Sequence, residues 1–170
     1  MSKLLNVSSS PHVRCGVSTK NLMYDVAIAM LPATIWGVMQ FGIYSLIVVV
    51  ATVLSCVLSE YLFETLMHKP VTISDGSALV TGMILGLNMP PAIPLWMPIL
   101  GGVFAIIVVK QLYGGLGQNW MNPALAARCF MLISFAQAMT KFTDPVTDAV
   151  ASATPLAAIK AGDTYDLAAM

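Results

Sequence analysis

From Leu22 onward the chain alternates long apolar runs with short polar joints. The first run, about Leu22 to Phe41, and the second, Ile43 to about Phe63, are each close to the ~20 residues an α-helix needs to cross ~30 Å of hydrocarbon. Gly42 is the joint between them. Pro32 lies inside the first run and can kink it, and Asp25 sits near its start, where a carboxylate reaches water. The second run has a Leu/Ile/Val-rich, lipid-type centre and carries Glu60 and Glu64 one turn apart on one face. Met67-His68-Lys69-Pro70 follows at once and marks a loop, so the two glutamates are read as interfacial rather than as a site.

The third segment breaks the pattern. Asp75 to Pro91 holds only about a dozen apolar residues, is punctuated by Gly76, Gly82 and Gly86, and stops at Pro90-Pro91. That is too short to cross the bilayer alone, so it reads as a half-helix completed by irregular backbone around Pro90, Pro91 and Pro94. Backbone of that kind at membrane depth has to line a cavity or be buried in protein, and broken segments often belong to two inverted halves. A fourth span, about Leu95 to Leu112, has Lys110 near its inner end. The glycine-rich Tyr113-Gly114-Gly115-Leu116-Gly117-Gln118-Asn119 then reads as a tight helix-to-helix turn. It has neither the preceding strand nor the Gly-Lys-Ser ending of a phosphate loop. Asn122-Pro123-Ala124 opens a fifth segment that ends near Lys141.

The predicted fold is therefore an all-α integral membrane protein of about five membrane segments, one of them a broken half-helix, forming the first of two inverted repeats. Residues 1–20 are a cytoplasmic tail, 21–141 the transmembrane repeat, and 142–170 an extracytoplasmic loop with the start of a next helix.

Composition agrees. The chain is 58% hydrophobic and 9% charged, with a mean hydropathy of +0.82, whereas a soluble domain has roughly a quarter of its residues charged. The 8 Lys and Arg balance the 8 Asp and Glu, so no basic surface and no nucleic-acid partner is expected. Residues 1–20 lack the apolar core and cleavage site of a secretory signal. Lys3, Arg14 and Lys20 place the tail on the cytoplasmic side, and His68, Lys69 and Lys110 add to that side. Five crossings then leave the stretch after Lys141 outside, in a bacterial or archaeal cytoplasmic membrane. Cys15, Cys56 and Cys129 have no metal-type spacing, and His12 has no second ligand near it, so no metal site is expected from this chain alone.

The chemistry concentrates in Asp144 to Lys160, where hydroxyls and carboxylates cluster outside an apolar run. Thr154 reads as an N-cap with Pro155 at the first helical position. A hydroxyl there sits where backbone N–H groups and the helix dipole favour an attached phosphate.

Four blocks carry a resemblance: Ser9-Ser10-Pro11-His12; Asp75-Gly76-Ser77-Ala78-Leu79 with Pro90-Pro91; Gly114 to Asn119 with Asn122-Pro123-Ala124; and Ser152-Ala153-Thr154-Pro155-Leu156. In this order they resemble the D subunit of the Rnf electron-transport complex, which is homologous to the B subunit of the sodium-pumping NADH:quinone oxidoreductase. The resemblance implies FMN joined by a phosphoester to Thr154, attached by a flavin transferase at a motif that here reads Ala151-Ser152-Ala153-Thr154-Pro155-Leu156, with Ser152 in place of the usual glycine and Ala151 in place of the usual serine. The substituted side chains are small and leave the Thr154 hydroxyl accessible, and Asp148 and Lys160 are candidates to orient the phosphate. No catalytic residue is expected, since Thr154 is an attachment point.

The same resemblance implies a noncovalent riboflavin, walled by the broken third segment and the Asn119–Asn122 turn. It also implies other Rnf subunits as partners, including a second FMN-bearing subunit and iron–sulfur subunits, and electron transfer between reduced ferredoxin and NAD coupled to Na⁺ or H⁺ translocation. Family members are about twice as long, so 170 residues correspond to the N-terminal half, inactive alone. The competing readings are the quinone-reductase relative and a small-solute channel without redox role.

Overall fold

The computed structural model describes residues 16, 18–143 and 150–151, the last few of them as backbone only. Two long helices form first: α1, Thr19–Phe41, and α2, Ile43–Leu66. Ser18 caps α1 by accepting from the Lys20 N–H. Gly42, at φ +80°, turns the chain between the two helices in a conformation that L side chains rarely adopt. Both helices are long and apolar enough to cross a membrane.

The faces of α2 explain the architecture. Val50, Leu54, Leu58, Leu62 and Leu66 recur every fourth residue and are exposed, Leu66 to 80%. The row Val48, Thr52, Cys56, Glu60, Glu64, also at four-residue spacing, is buried. This polarity is the reverse of a water-soluble helix: the leucine stripe faces out and the polar stripe faces in. Lipid is as apolar as leucine, so the helix gains more by packing small and polar groups against neighbours.

A 3₁₀ turn, Ile73–Asp75, leads into α3, Ser77–Leu87. Its start is fixed by Asp75, whose Oδ1 accepts from the Ser77 N–H at 2.8 Å and the Ser77 hydroxyl at 2.6 Å. Helix α3 runs antiparallel to α2 at very short range, because a Cβ on Gly82 would lie 2.6 Å from the Val53 Cα and one on Gly86 2.9 Å from the Val49 Cα. The helix stops at Asn88, and irregular backbone through Pro90, Pro91 and Pro94 returns the chain, held by the Tyr44 hydroxyl donating to the Ile93 carbonyl at 2.9 Å. The expected half-helix is therefore present, and of the segment that follows it Met89, Pro90 and Ile93 are buried while Ala92 and Pro94 are exposed.

Helix α4, Trp96–Val103, continues without a break into a π-helical stretch, Phe104–Gln111, and runs alongside α2 in the same direction. Ser55 donates to the Ile99 carbonyl at 2.7 Å, and Gly102 lies against Ser55 and Cys56. After the turn, with positive φ at Gly114, Gly115 and Gly117, α5 covers Pro123–Ser134 with Asn122 as its cap and Pro123 at the first position. The fifth segment is not one helix: the chain breaks at Phe135 before a short α6, Ala136–Met139. Leu85, Ile93, Ala105, Ala127 and Met131 form the apolar core between α3, α4 and α5. The β structure among the described residues is one antiparallel pair, Phe142–Thr143 with Val150–Ala151.

Candidate functional site

A polar core lies at the end of the bundle where α1 and α3 begin and α2 and the π-helical stretch end. Lys110 is 2% exposed, and its ammonium donates to Glu60 Oε1 at 2.5 Å and to the Ser77 hydroxyl at 2.5 Å. The Gln111 amide donates to Glu60 Oε1 at 3.0 Å and to Glu64 Oε1 at 3.1 Å. Glu64 also accepts from the Thr72 N–H at 2.9 Å and from its hydroxyl. The result is one hydrogen-bonded chain from Asp75 through Ser77, Lys110, Glu60 and Gln111 to Glu64 and Thr72. Glu60 is wholly buried, and its Oε2 has no hydrogen-bond partner among the described residues.

The π-helical geometry allows this arrangement. Hydrogen bonds from Leu112 N–H to the Ile107 carbonyl and from Gly115 N–H to the Lys110 carbonyl, both 3.1 Å, are of the i→i+5 kind. The widened turn lets the adjacent residues Lys110 and Gln111 both reach α2, and such insertions occur often at functional sites.

These positions correct two expectations. Glu60 and Glu64 are not solvated: both are buried, Glu60 in an ion pair with Lys110 and Glu64 hydrogen-bonded to Thr72 and Gln111. Lys110, expected near the inner end of the fourth span as a charge marking the cytoplasmic side, is sealed in an ion pair. For the glutamates, His68 and Lys69 next in sequence suggested water, whereas the i, i+4 register with Thr52 and Cys56 puts them on the inward face; for Lys110 the partner lies 50 positions away.

Beside this core is a cavity of about 450 Å³, lined among others by Met23, Ser77, Thr81, Lys110, Asn119 and Asn122. Residues of α3 and of the Asn119–Asn122 turn line it together. Asn119 donates to the Met121 carbonyl at 3.2 Å, while its buried Oδ1 has no partner among the described residues. Farther along, Arg128 of α5 donates to Asn88 Oδ1 at the end of α3, and Asn88 donates to the Ile84 carbonyl at 2.7 Å. Reading the sequence missed this pair; a lone arginine inside an apolar run was its signal. No group of three or more metal-ligating side chains occurs among the described residues.

Asp148, Ser152, Ala153, Thr154, Pro155, Leu156 and Lys160 lie outside the described residues, which end for this stretch at Val150–Ala151.

Apolar helices around a buried ion pair and a hydrogen-bonding cavity define a helical membrane protein with charge held in its interior. Residues 6–170 match the family described as NQR2, RnfD, RnfE, and the chain belongs to that family. It is 49% identical over 161 residues, 94% of this chain and 51% of the relative, to the D subunit of the Na(+)-translocating ferredoxin:NAD(+) oxidoreductase complex of Acetobacterium woodii. The proton-translocating counterpart of Clostridium ljungdahlii is 42% identical over 92% of this chain and 48% of its own length. The D subunit of an ion-translocating oxidoreductase complex of Shewanella denitrificans is 40% identical over 91% and 45% respectively. The resemblance to the Rnf D subunit is borne out, and the chain spans about half the length of the curated relatives it matches.

Proposed function

We propose that this chain is the N-terminal half of a D-type subunit in an ion-translocating ferredoxin:NAD⁺ oxidoreductase, where it holds flavin and carries electrons in a path coupled to Na⁺ or H⁺ movement. The observation that carries this reading is the 49% identity to such a subunit over 94% of the chain. Five crossings from a cytoplasmic N-terminus place Thr154 outside, and a second, inverted repeat covers part of the exposed apolar surface. Lys20, His68 and Lys69 at the end bearing the polar core support that orientation.

Thr154 is the attachment point for FMN through a phosphoester, with Ser152, Ala153, Pro155 and Leu156 as the small-residue motif recognised by a flavin transferase. Asp148 and Lys160 orient the phosphate, Lys160 by charge attraction. A noncovalent riboflavin occupies the cavity beside Lys110. The fit rests on the orphaned Asn119 Oδ1, an acceptor for a ring N–H, and on a volume of about 450 Å³, within the usual ~300–1,000 Å³ of ligand sites. Flavin in these places supplies electron transfer, while the chain supplies position, electrostatics and exclusion of water. Other Rnf subunits, among them a second FMN-bearing subunit and iron–sulfur subunits, complete the path.

The test is denaturing electrophoresis under ultraviolet light of the full-length subunit co-expressed with a flavin transferase, with Thr154→Ala beside it. Fluorescence that persists through denaturation and disappears in the variant is expected. A dark wild-type band would overturn the covalent attachment.

A further inference from the structure

Arg128 carries a charge that the described residues do not balance. It lies inside α5, half-buried, and its guanidinium donates to Asn88 Oδ1 at the end of α3. Helix α3 has 11 residues, so at ~1.5 Å per residue Asn88 lies roughly 16 Å deeper than the polar core, near the middle of ~30 Å of hydrocarbon. A guanidinium keeps its charge in proteins and has five N–H groups; one has a hydrogen-bond partner among the described residues. The carboxy end of α3 offers it roughly half an elementary negative charge, and the remainder is unmatched. The described carboxylates do not supply it. Glu60, Glu64 and Asp75 are bound into the polar core, and Asp25 lies in the second turn of α1, at that same end. Around Arg128 the surface is apolar: Leu125, Cys129 and Leu132, all within one turn of it, and Ile133 beyond them are exposed. The leucine stripe of α2 suits lipid because it is free of charge. A face with an arginine in it at membrane depth does not, since intramembrane charges face protein and pair there.

We propose that this face of α5 is the seam against the part of the subunit that follows Met170, and that a carboxylate on a membrane-embedded segment there forms a bidentate ion pair with Arg128. This rests on the reading of the chain as the N-terminal half of its subunit; the chain spans about half of its relatives, which leaves the length for such a segment. The guanidinium fork matches the plane of a carboxylate with two parallel N–H···O bonds. The pair supplies the charge that Asn88 and the end of α3 leave unmatched. Because Arg128 sits where the half-helix stops, the pair also fixes the depth at which the second half meets the first.

The experiment uses the whole complex with its native subunit, whose intact mass is read first. A polypeptide ending at Met170 overturns the half-subunit reading and the proposal with it. Thermal unfolding midpoints in detergent are then measured for Arg128→Met, for each Asp→Asn or Glu→Gln change in the membrane segments beyond Met170 and at Asp144, Asp148, Asp163 and Asp166, and for each of these combined with Arg128→Met. Arg128→Met is expected to lower the midpoint by several degrees. At one carboxylate beyond Met170 the neutralising change lowers the midpoint in the wild type yet raises it in Arg128→Met, because the second change removes the charge left buried by the first. Arg128→Lys keeps the charge but loses the fork, and is expected to fall between the wild type and Arg128→Met. Effects that add at every carboxylate, or coupling confined to Asp144, Asp148, Asp163 or Asp166, overturn the proposal and leave the half-subunit reading standing. Should Arg128→Met fail to assemble, a combined variant that assembles again supports the pair, and failure of every combination overturns it.

Discussion

At the scale of single residues the energetics are dominated by one pair. Glu60 and Lys110 are both sealed from solvent, and a buried pair contributes little net stability relative to apolar side chains of the same size. Breaking it is another matter, because the surviving charge keeps its desolvation cost without its partner. Lys110→Met is expected to lower stability by about 3–5 kcal/mol, read as reduced thermal or denaturant stability of the full-length subunit in detergent. Lys110→Met combined with Glu60→Met recovers most of that loss, since no charge is then left buried. A double variant as unstable as the single one would show that the pair is needed for packing rather than for charge balance.

At the scale of elements, α2 is the post on which the others are hung, and glycine sets the distance. A methyl at Gly82 would fall 2.6 Å from the Val53 Cα and one at Gly86 2.9 Å from the Val49 Cα. Backbone cannot yield as a side-chain tip does, so α3 must move outward as a body. Gly82→Ala is therefore expected to cost about 1–3 kcal/mol through overpacking, measured by thermal unfolding in detergent, whereas Gly37→Ala, where an added Cβ meets nothing within 4 Å, leaves the midpoint unchanged or slightly raised. The half-helix depends on that close contact: α3 has 11 residues, too few to span hydrocarbon, and the irregular backbone after it, buried at Met89, Pro90 and Ile93, is tolerable at membrane depth only against protein. The alternation of runs and joints made α1, α2, the half-helix and the glycine turn legible beforehand. The break at Phe135 was not, because no proline or glycine marks it and its φ of −133° and ψ of 49° arise from packing, with the Phe135 ring edge-on to Trp96 at 5.2 Å.

For the whole molecule, the described helices alternate in direction, so the starts of α1, α3 and α5 lie at the end that holds the polar core. With that end cytoplasmic, cysteines placed at Ser18 and Gln118 label from the cytoplasmic face and those at Gln40 and Ala92 from the other. The assay is membrane-impermeant thiol labelling of the full chain in cells, in a background with Cys15, Cys56 and Cys129 replaced. Labelling of Gln118 and Ala92 from the same side would overturn the alternating path.

Which long stretches are helical, that they suit a bilayer, and which family the chain joins were legible in the order of residues alone. Those properties rest on local signals, namely run length, glycine and proline joints, caps and ordered motifs, each readable within about twenty residues. What the charges do is settled by how the helices pack. Glu60 and Lys110 are 50 positions apart, and nothing local distinguishes a glutamate near a loop from one paired inside. The deciding quantities are the rotation of α2, which turns its polar stripe inward, and the π-helical widening, which brings Lys110 and Gln111 to that stripe together. Both are set by packing between helices, since in lipid the position of a polar group follows from the neighbour that can satisfy it.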